Sequence, residues 1–196
     1  DNELKKLHLV MSSQAVNRFQ PDWAMELGYT AKSPQVRAGA LRALYYEADN
    51  NGAARELAEK AVADPHPRVR LWGVSVLSQL YYPDTVQLAL KALEGIENPD
   101  KFLDFAVWNI CREHSHKWIS LAETANPFQT PGQLLYAMRA VNTVTGADRL
   151  FEAFEQVKFT SDKEVNDLTE WAAKNGYAGH LNRLFDQALL DKTPPA

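Results

Sequence analysis

The sequence predicts an all-α chain built as a helical solenoid of about five antiparallel helix pairs. The first observation is a segment written twice 33 residues apart. Ser33-Pro34-Gln35-Val36-Arg37, followed by Ala40, Leu41, Ala43 and Leu44, is matched by Pro67-Arg68-Val69-Arg70, followed by Gly73, Val74, Val76 and Leu77. Self-similarity at a period in the thirties marks stacked helical units, each unable to bury its apolar face alone. The second observation is helix after helix with hardly a strand candidate between them. The third is size: 196 residues with 45% hydrophobic content bury a core without disulfides or metals. One domain over 1–196 is expected, with clear repeats over about 33–113 and divergent ones over about 114–191.

Leu4, Leu7, Val10 and Met11, and then Trp23, Met25 and Leu27 after Pro21-Asp22, predict one or two N-terminal helices. Ser33-Pro34 places a capping hydroxyl before a proline at the first helical position, and Asp49-Asn50-Asn51-Gly52 stops the helix, which is expected over about 34–47. A second helix over 53–63 carries Leu57, Ala58, Ala61 and Val62 on one face, and Asp64-Pro65-His66-Pro67 breaks it. The next copy runs over 67–81, turns at Tyr82-Pro83-Asp84 and continues through Val86, Leu88, Ala89, Leu90 and Leu93 to Gly95. A further step of 33 carries Val69 to Phe102, Gly73 to Ala106, Val74 to Val107 and Leu77 to Ile110, after a turn at Asn98-Pro99-Asp100.

Beyond that the spacing drifts. Thr130-Pro131-Gly132 opens a helix through Leu134, Leu135, Ala137, Met138 and Val141. Gly146-Ala147-Asp148 opens another through Leu150, Phe151, Phe154 and Val157. Ser161-Asp162-Lys163-Glu164 has the form of a capping box ahead of Val165, Leu168, Trp171 and Ala172. Leu181, Leu184, Phe185 and Leu189 make the last helix, before Lys192-Thr193-Pro194-Pro195-Ala196 frays. Gly73 stands where the preceding unit has Ala40, which predicts a close approach of a neighbouring helix.

The segments 33–44 and 64–74 resemble the D-P-x-x-x-V-R-x-x-A-x-x-A-L signature of HEAT repeats. The resemblance implies a right-handed superhelix in which the V-R helix is the second of each pair and lines the concave surface. Ser33 and Asn98 stand where the signature has aspartate, and Leu103 where it has the arginine, so a polar ladder between successive units is expected to be incomplete. A weaker resemblance reaches the HEAT-type segments of large secreted bacterial proteins that join a sugar-dehydrogenase-like propeller to a c-type cytochrome domain. The function it implies is a non-catalytic scaffold whose concave face holds a protein partner or a neighbouring domain. The alternatives are a ligand-binding or catalytic cradle of the same fold, for nucleic acid or a cofactor, and a connecting module of such a secreted protein.

In that geometry the surface positions of the V-R helices form columns. One reads Arg42, Ser75, Trp108; another reads Tyr45, Ser78, Cys111, with Tyr46, Gln79 and Arg112 beside it and Arg139 and Asn142 in the next pair. Aromatic and arginine side chains are the usual anchors of interfaces, so Arg42, Tyr45, Tyr46, Trp108, Arg112 and Arg139 are the candidate partner-binding residues. The other reading of Trp108 and Tyr45 is that they pack between helices.

A formal net charge of −4 and a pI near 5.7 argue against a general phosphate-backbone binder, so no nucleic-acid partner is expected. No apolar run approaches the roughly 20 residues a bilayer requires, and no membrane insertion is expected. A basic, apolar targeting segment is missing from the start of the chain as given, and a lone Cys111 forbids an internal disulfide. These features leave the cytoplasm and the periplasm or exterior open alike. Cys111, His114 and His116 lie close in sequence with spacing that can share a helix face, but third and fourth metal ligands are not obvious. C-x-x-C-H, G-x-S-x-G, Gly-rich phosphate loops and H-E-x-x-H are all missing. No cofactor, no metal site and no catalytic residues are expected.

Overall fold

The protein is described by a computed structural model covering residues 2–47, 52–122, 128–141, 162–175 and 178–190. Those residues are helical throughout, joined by turns, with no strand among them. The chain divides into two compact units, Asp1–Ile110 and Cys111–Ala196.

In the first unit α1 (Asn2–Ala15), α2 (Pro21–Thr30), α3 (Pro34–Tyr45), α4 (Gly52–Ala61), α5 (Pro67–Ser78) and α6 (Thr85–Leu90) follow one another. A 3-10 turn at Lys91–Leu93 comes next, and α7 (Lys101–Glu113) runs on across the unit boundary. Helix α3 packs against α1, α2 and α5; α5 packs against α3, α4 and α6; α2 also meets α4. Proline at the first position opens α2, α3 and α5, where its missing N–H costs no helical bond. Asn17, at φ 54, closes α1 in the left-handed region that Asn tolerates, and the Arg18 N–H donates back to the Ser13 carbonyl.

The written repeat is a structural one. Helices α3 and α5 are each 12 residues long. They begin after extended residues Ser33 and His66 and end at Tyr46 and Gln79 with nearly the same dihedrals, φ −79, ψ −8 and φ −84, ψ −9. Val36, Leu41 and Leu44 are buried in one, and Val69, Val74 and Leu77 in the other. Each such side chain contributes about 1.5–3 kcal/mol by leaving water, so the shared apolar stripe outweighs any difference in helix propensity between the copies.

Polar bonds repeat with the same shift. Arg37 Nη1 donates to the Ala31 carbonyl at 2.9 Å and Arg70 Nε donates to the Asp64 carbonyl at 2.6 Å. Each arginine then reaches toward the chain that follows. Arg37 forks onto Asp64, Nε to Oδ2 at 2.9 Å and Nη2 to Oδ1 at 3.1 Å, while Arg70 Nη1 donates to the carbonyls of Ala92 and Glu94 at 3.0 and 3.1 Å. Asp64 Oδ1 also accepts from the His66 N–H, and Glu3 accepts from the N–H groups of Lys32 and Ser33. Carboxylates therefore hold the starts of both α5 and α3, where they offset orphan donors and the positive end of the helix dipole. Elsewhere, Arg55 of α4 bonds Glu59 at 2.7 Å and Asp84 at 2.6 Å and lies over the Tyr82 ring. The Asp84 hydrogen bond is the main reason its guanidinium is held above the ordinary arginine range.

Three local expectations are corrected. Ser33 stands at the N-cap of α3, but its hydroxyl donates to Gln35 Oε1 and caps nothing; the carboxylate at this helix start is Glu3, which accepts from the Lys32 and Ser33 N–H groups. In α2 the inward face is Ala24, Leu27 and Gly28, the i, i+3, i+4 set, whereas Trp23 is 40% exposed. In α7 Phe102 is 62% exposed, and Leu103 takes the buried place that Val69 has in α5. Val107 and Ile110 keep the step of 33 and are buried. Neither Leu103 nor Asp104, the residues at Arg70's place without and with that shift, is an arginine, so α7 does not repeat the bonds of Arg37 and Arg70. The expected close approach at Gly73 is present. A Cβ there would lie 2.9 Å from Ala61 Cβ and 3.0 Å from the Val62 backbone nitrogen.

The second unit holds the end of α7, then α8 (Ser115–Ala122), α9 (Pro131–Ala140), α10 (Asp162–Asn175) and α11 (Ala178–Leu190). Helix α10 packs against α9 and α11. Trp118 is fully buried, donates from Nε1 to the Cys111 carbonyl at 2.8 Å and meets the Phe128 ring edge-on at 5.3 Å. Trp171 donates from Nε1 to the Met138 carbonyl at 2.9 Å, tying α10 to α9. Thr130 caps α9 by accepting from the Gln133 N–H at 3.2 Å. The stop at 49–51, the helix expected over 146–157, the Ser161 end of the capping box, Asn142 and the tail 192–196 lie outside the described residues.

Candidate functional site

The repeat decides which way the surface residues of α3 and α5 point. Gly39 has no side chain, and Leu7 of α1 occupies that space, 2.7 Å from where a Cβ would stand. Trp72 occupies the equivalent position of α5, 33 residues on, and meets α3 residues. Its ring lies edge-on to Tyr45 at 6.0 Å, and the Arg42 guanidinium sits 5.8 Å from its centroid. Tyr45 in turn meets Tyr46 edge-on at 5.0 Å. Such edge-on pairs set the positive rim of one ring against the negative face of the next, and a guanidinium over indole uses the same quadrupole.

The structure thus brings three sequence-singled residues, Arg42, Tyr45 and Tyr46, into one cluster and adds Trp72. Tyr45 is half-buried, Arg42 is exposed, and Tyr46 is 60% exposed. Around them Ser75 donates to the Leu71 carbonyl and Ser78 to the Ser75 carbonyl, so these hydroxyls spend their protons within α5. Trp72 was missed because in the sequence it reads as one apolar residue within the repeat. A signal was present in its register: one step of 33 carries Trp72 to Phe105.

Trp108 lies on α7, half-buried and stacked on Phe105 with ring centroids 5.9 Å apart and planes at 21°. Phe105 is 61% exposed. Arg112 and Arg139 belong to the second unit. Arg112 is exposed, and Arg139 of α9 is engaged by Asp167 of α10 at 2.7 Å. Cys111, expected in a surface column, is instead fully buried, and burial pushes its thiol up to about 12. A thiol kept protonated is neither a nucleophile nor a good metal ligand. His114 is buried and His116 exposed, and among the described residues no group of three or more His, Cys, Asp or Glu side chains is placed to hold a metal ion. No helix among those residues is long and apolar enough to cross a membrane.

A separate groove of about 410 Å³ lies in the first unit, lined by Asn17, Phe19, Pro21, Leu44, Glu47 and Ala54. Gln14 lies beside it, donating to the Ala43 carbonyl at 3.2 Å and to Glu47 at 3.5 Å. Neither the groove nor the aromatic cluster sets an acid, a base and a nucleophile together. What the cluster offers is flat apolar area and a guanidinium. Comparison with protein-family models, with curated proteins and with solved structures finds no match to this chain.

Proposed function

We propose that this chain is a HEAT-like α-solenoid that works as a non-catalytic scaffold, holding a protein partner or a neighbouring domain against the face carried by α3, α5 and α7. The observation that carries the reading is the repetition of bonds at one step of 33: Arg37 to Ala31, and Arg70 to Asp64. Equivalent residues making equivalent contacts is how stacked repeats are built. The same step carries Trp72 of α5 to Phe105 of α7, so these two helices carry an aromatic residue at the matching position, while α3 has Gly39 there. Half-exposed aromatic rings beside an arginine are the composition of a binding hot spot.

The partner is isolated by affinity purification of the tagged chain from its native source, and its affinity is measured for Tyr46→Ala combined with Trp108→Ala. Affinity falls at least about tenfold, as loss of two aromatic anchors requires, while the helical circular dichroism is retained. A folded double variant that binds normally removes this surface from the account.

A further inference from the structure

We infer that the Arg42–Trp72–Tyr45–Tyr46 cluster is a subsite for a carboxylate side chain of an extended, acidic and apolar peptide segment of the partner. This deepens the scaffold reading and rests on it. The chain is acidic, with a net charge of −4, yet α3 and α5 contain no Asp or Glu and carry four arginines, Arg37, Arg42, Arg68 and Arg70. Two of the four are committed to the fold: Arg37 to Asp64, and Arg70 to the backbone carbonyls. Arg42 is different. Its guanidinium stands over Trp72, and among the described residues it makes no hydrogen bond or ion pair. A guanidinium held over a ring by cation–π attraction still has N–H groups to offer, in the fork that fits a carboxylate with two parallel bonds.

The surroundings select among anions. Arg68 is exposed on α5 one helical turn before Trp72, but the guanidinium that stands over the Trp72 ring is that of Arg42. Neither α3 nor α5 contains a lysine, and the Ser75 and Ser78 hydroxyls already donate within their own helix. Glu47, the nearest acid in sequence, accepts from Gln14 of α1 and lines the separate groove. One guanidinium suits a singly charged carboxylate, whereas phosphate monoesters and nucleic-acid backbones call for several donors or cations together. The rings of Tyr46 and Tyr45 supply the apolar area on which residues flanking that carboxylate lie.

The test is selection of a random-peptide display library on the full chain, followed by fluorescence anisotropy with the selected peptides. Selected sequences are enriched in Asp or Glu next to apolar residues. Amidating that acid, or making Arg42→Gln, weakens binding about tenfold each, and the two losses do not add because they remove one interaction. Arg42→Lys keeps the charge without the fork and falls between. Arg42 is exposed, so its variants fold, and an unchanged thermal midpoint verifies this. Selected peptides without an acidic preference, or with affinity indifferent to Arg42→Gln, overturn the subsite while leaving the scaffold reading in place. Tighter binding of a phosphoserine version reassigns the site to phosphate and overturns the carboxylate. Selection of no peptide also overturns the subsite, and the scaffold reading is then decided by the partner's own affinity for the Tyr46 and Trp108 variants.

Discussion

Gly73 lets α5 lie directly on the end of α4, and filling that contact should separate the two helices. A Cβ at position 73 would stand 2.9 Å from Ala61 Cβ, 3.0 Å from Val62 N and 3.1 Å from Ala61 C. None of these three atoms is the end of a flexible side chain, so the neighbour yields only by moving its backbone. Overpacking of this kind costs about 1–3 kcal/mol. Against it, replacing Gly by Ala inside a helix returns about 0.5–1 kcal/mol of backbone entropy. The clash wins, and Gly73→Ala is expected to lose about 1–2 kcal/mol net. In a chain of this length each kcal/mol moves the midpoint by about 2–4 °C. Gly73→Leu, with three more carbons in the same place, loses more. Gly132 supplies the control, because a Cβ there meets nothing closer than Thr130 Oγ1 at 3.9 Å. Gly132→Ala should leave stability level or raise it. Thermal unfolding followed at 222 nm decides the matter. A Gly73→Ala midpoint equal to or above wild type refutes the close-packed α4–α5 contact.

The Arg37–Asp64 fork makes a second target. Arg37→Gln also strips donors from the Ala31 and Lys32 carbonyls, and about 2–3 kcal/mol of stability in urea unfolding is expected to go with it. The Cys111 thiol keeps its proton in the fold up to about 12, whereas an unfolded chain releases it near 9.0. Its contribution to stability is therefore intact below pH 9 and lost as pH rises from 9 toward 12. Cys111→Ala should flatten that alkaline decline, and a thiol reagent at pH 8 should label native Cys111 far more slowly than the denatured chain. Trp118→Phe removes the donor to the Cys111 carbonyl while keeping most of the ring, with an expected loss of about 1–3 kcal/mol, read by denaturant midpoint.

Helix starts were legible where Pro or Thr-Pro announced them, as in α3, α5 and α9, because proline acts through local sterics alone. The apolar stripes of α3 and α5 were equally legible from their spacing. What the spacing hid was competition between neighbours. Phe102 fits the step of 33 by type but turns outward, because Leu103 offers a branched aliphatic side chain one residue later for the same buried place. Ser33 has the right hydroxyl for a cap, but Glu3, thirty residues away in sequence, brings a full charge to the Lys32 and Ser33 N–H groups at the same helix start, and no local rule sees it. The surface cluster was half legible. Arg42, Tyr45 and Tyr46 follow from their positions on one helix, whereas Trp72 joins them only because Gly39 and Trp72 fill the same repeat position differently. Arg139 reads as a surface arginine in sequence, yet Asp167 of another helix pairs with it.

The scaffold reading is tested most directly by position-resolved photo-cross-linking of the full chain in its native source. A photoreactive phenylalanine analogue is placed in turn at Tyr46, Trp72 and Phe105 on the proposed face and at Glu56 on α4. The account predicts that one and the same protein is cross-linked from 46, 72 and 105 and not from 56. Cross-linking from 56 alone, or from none of the three face positions while the chain is folded, would contradict it.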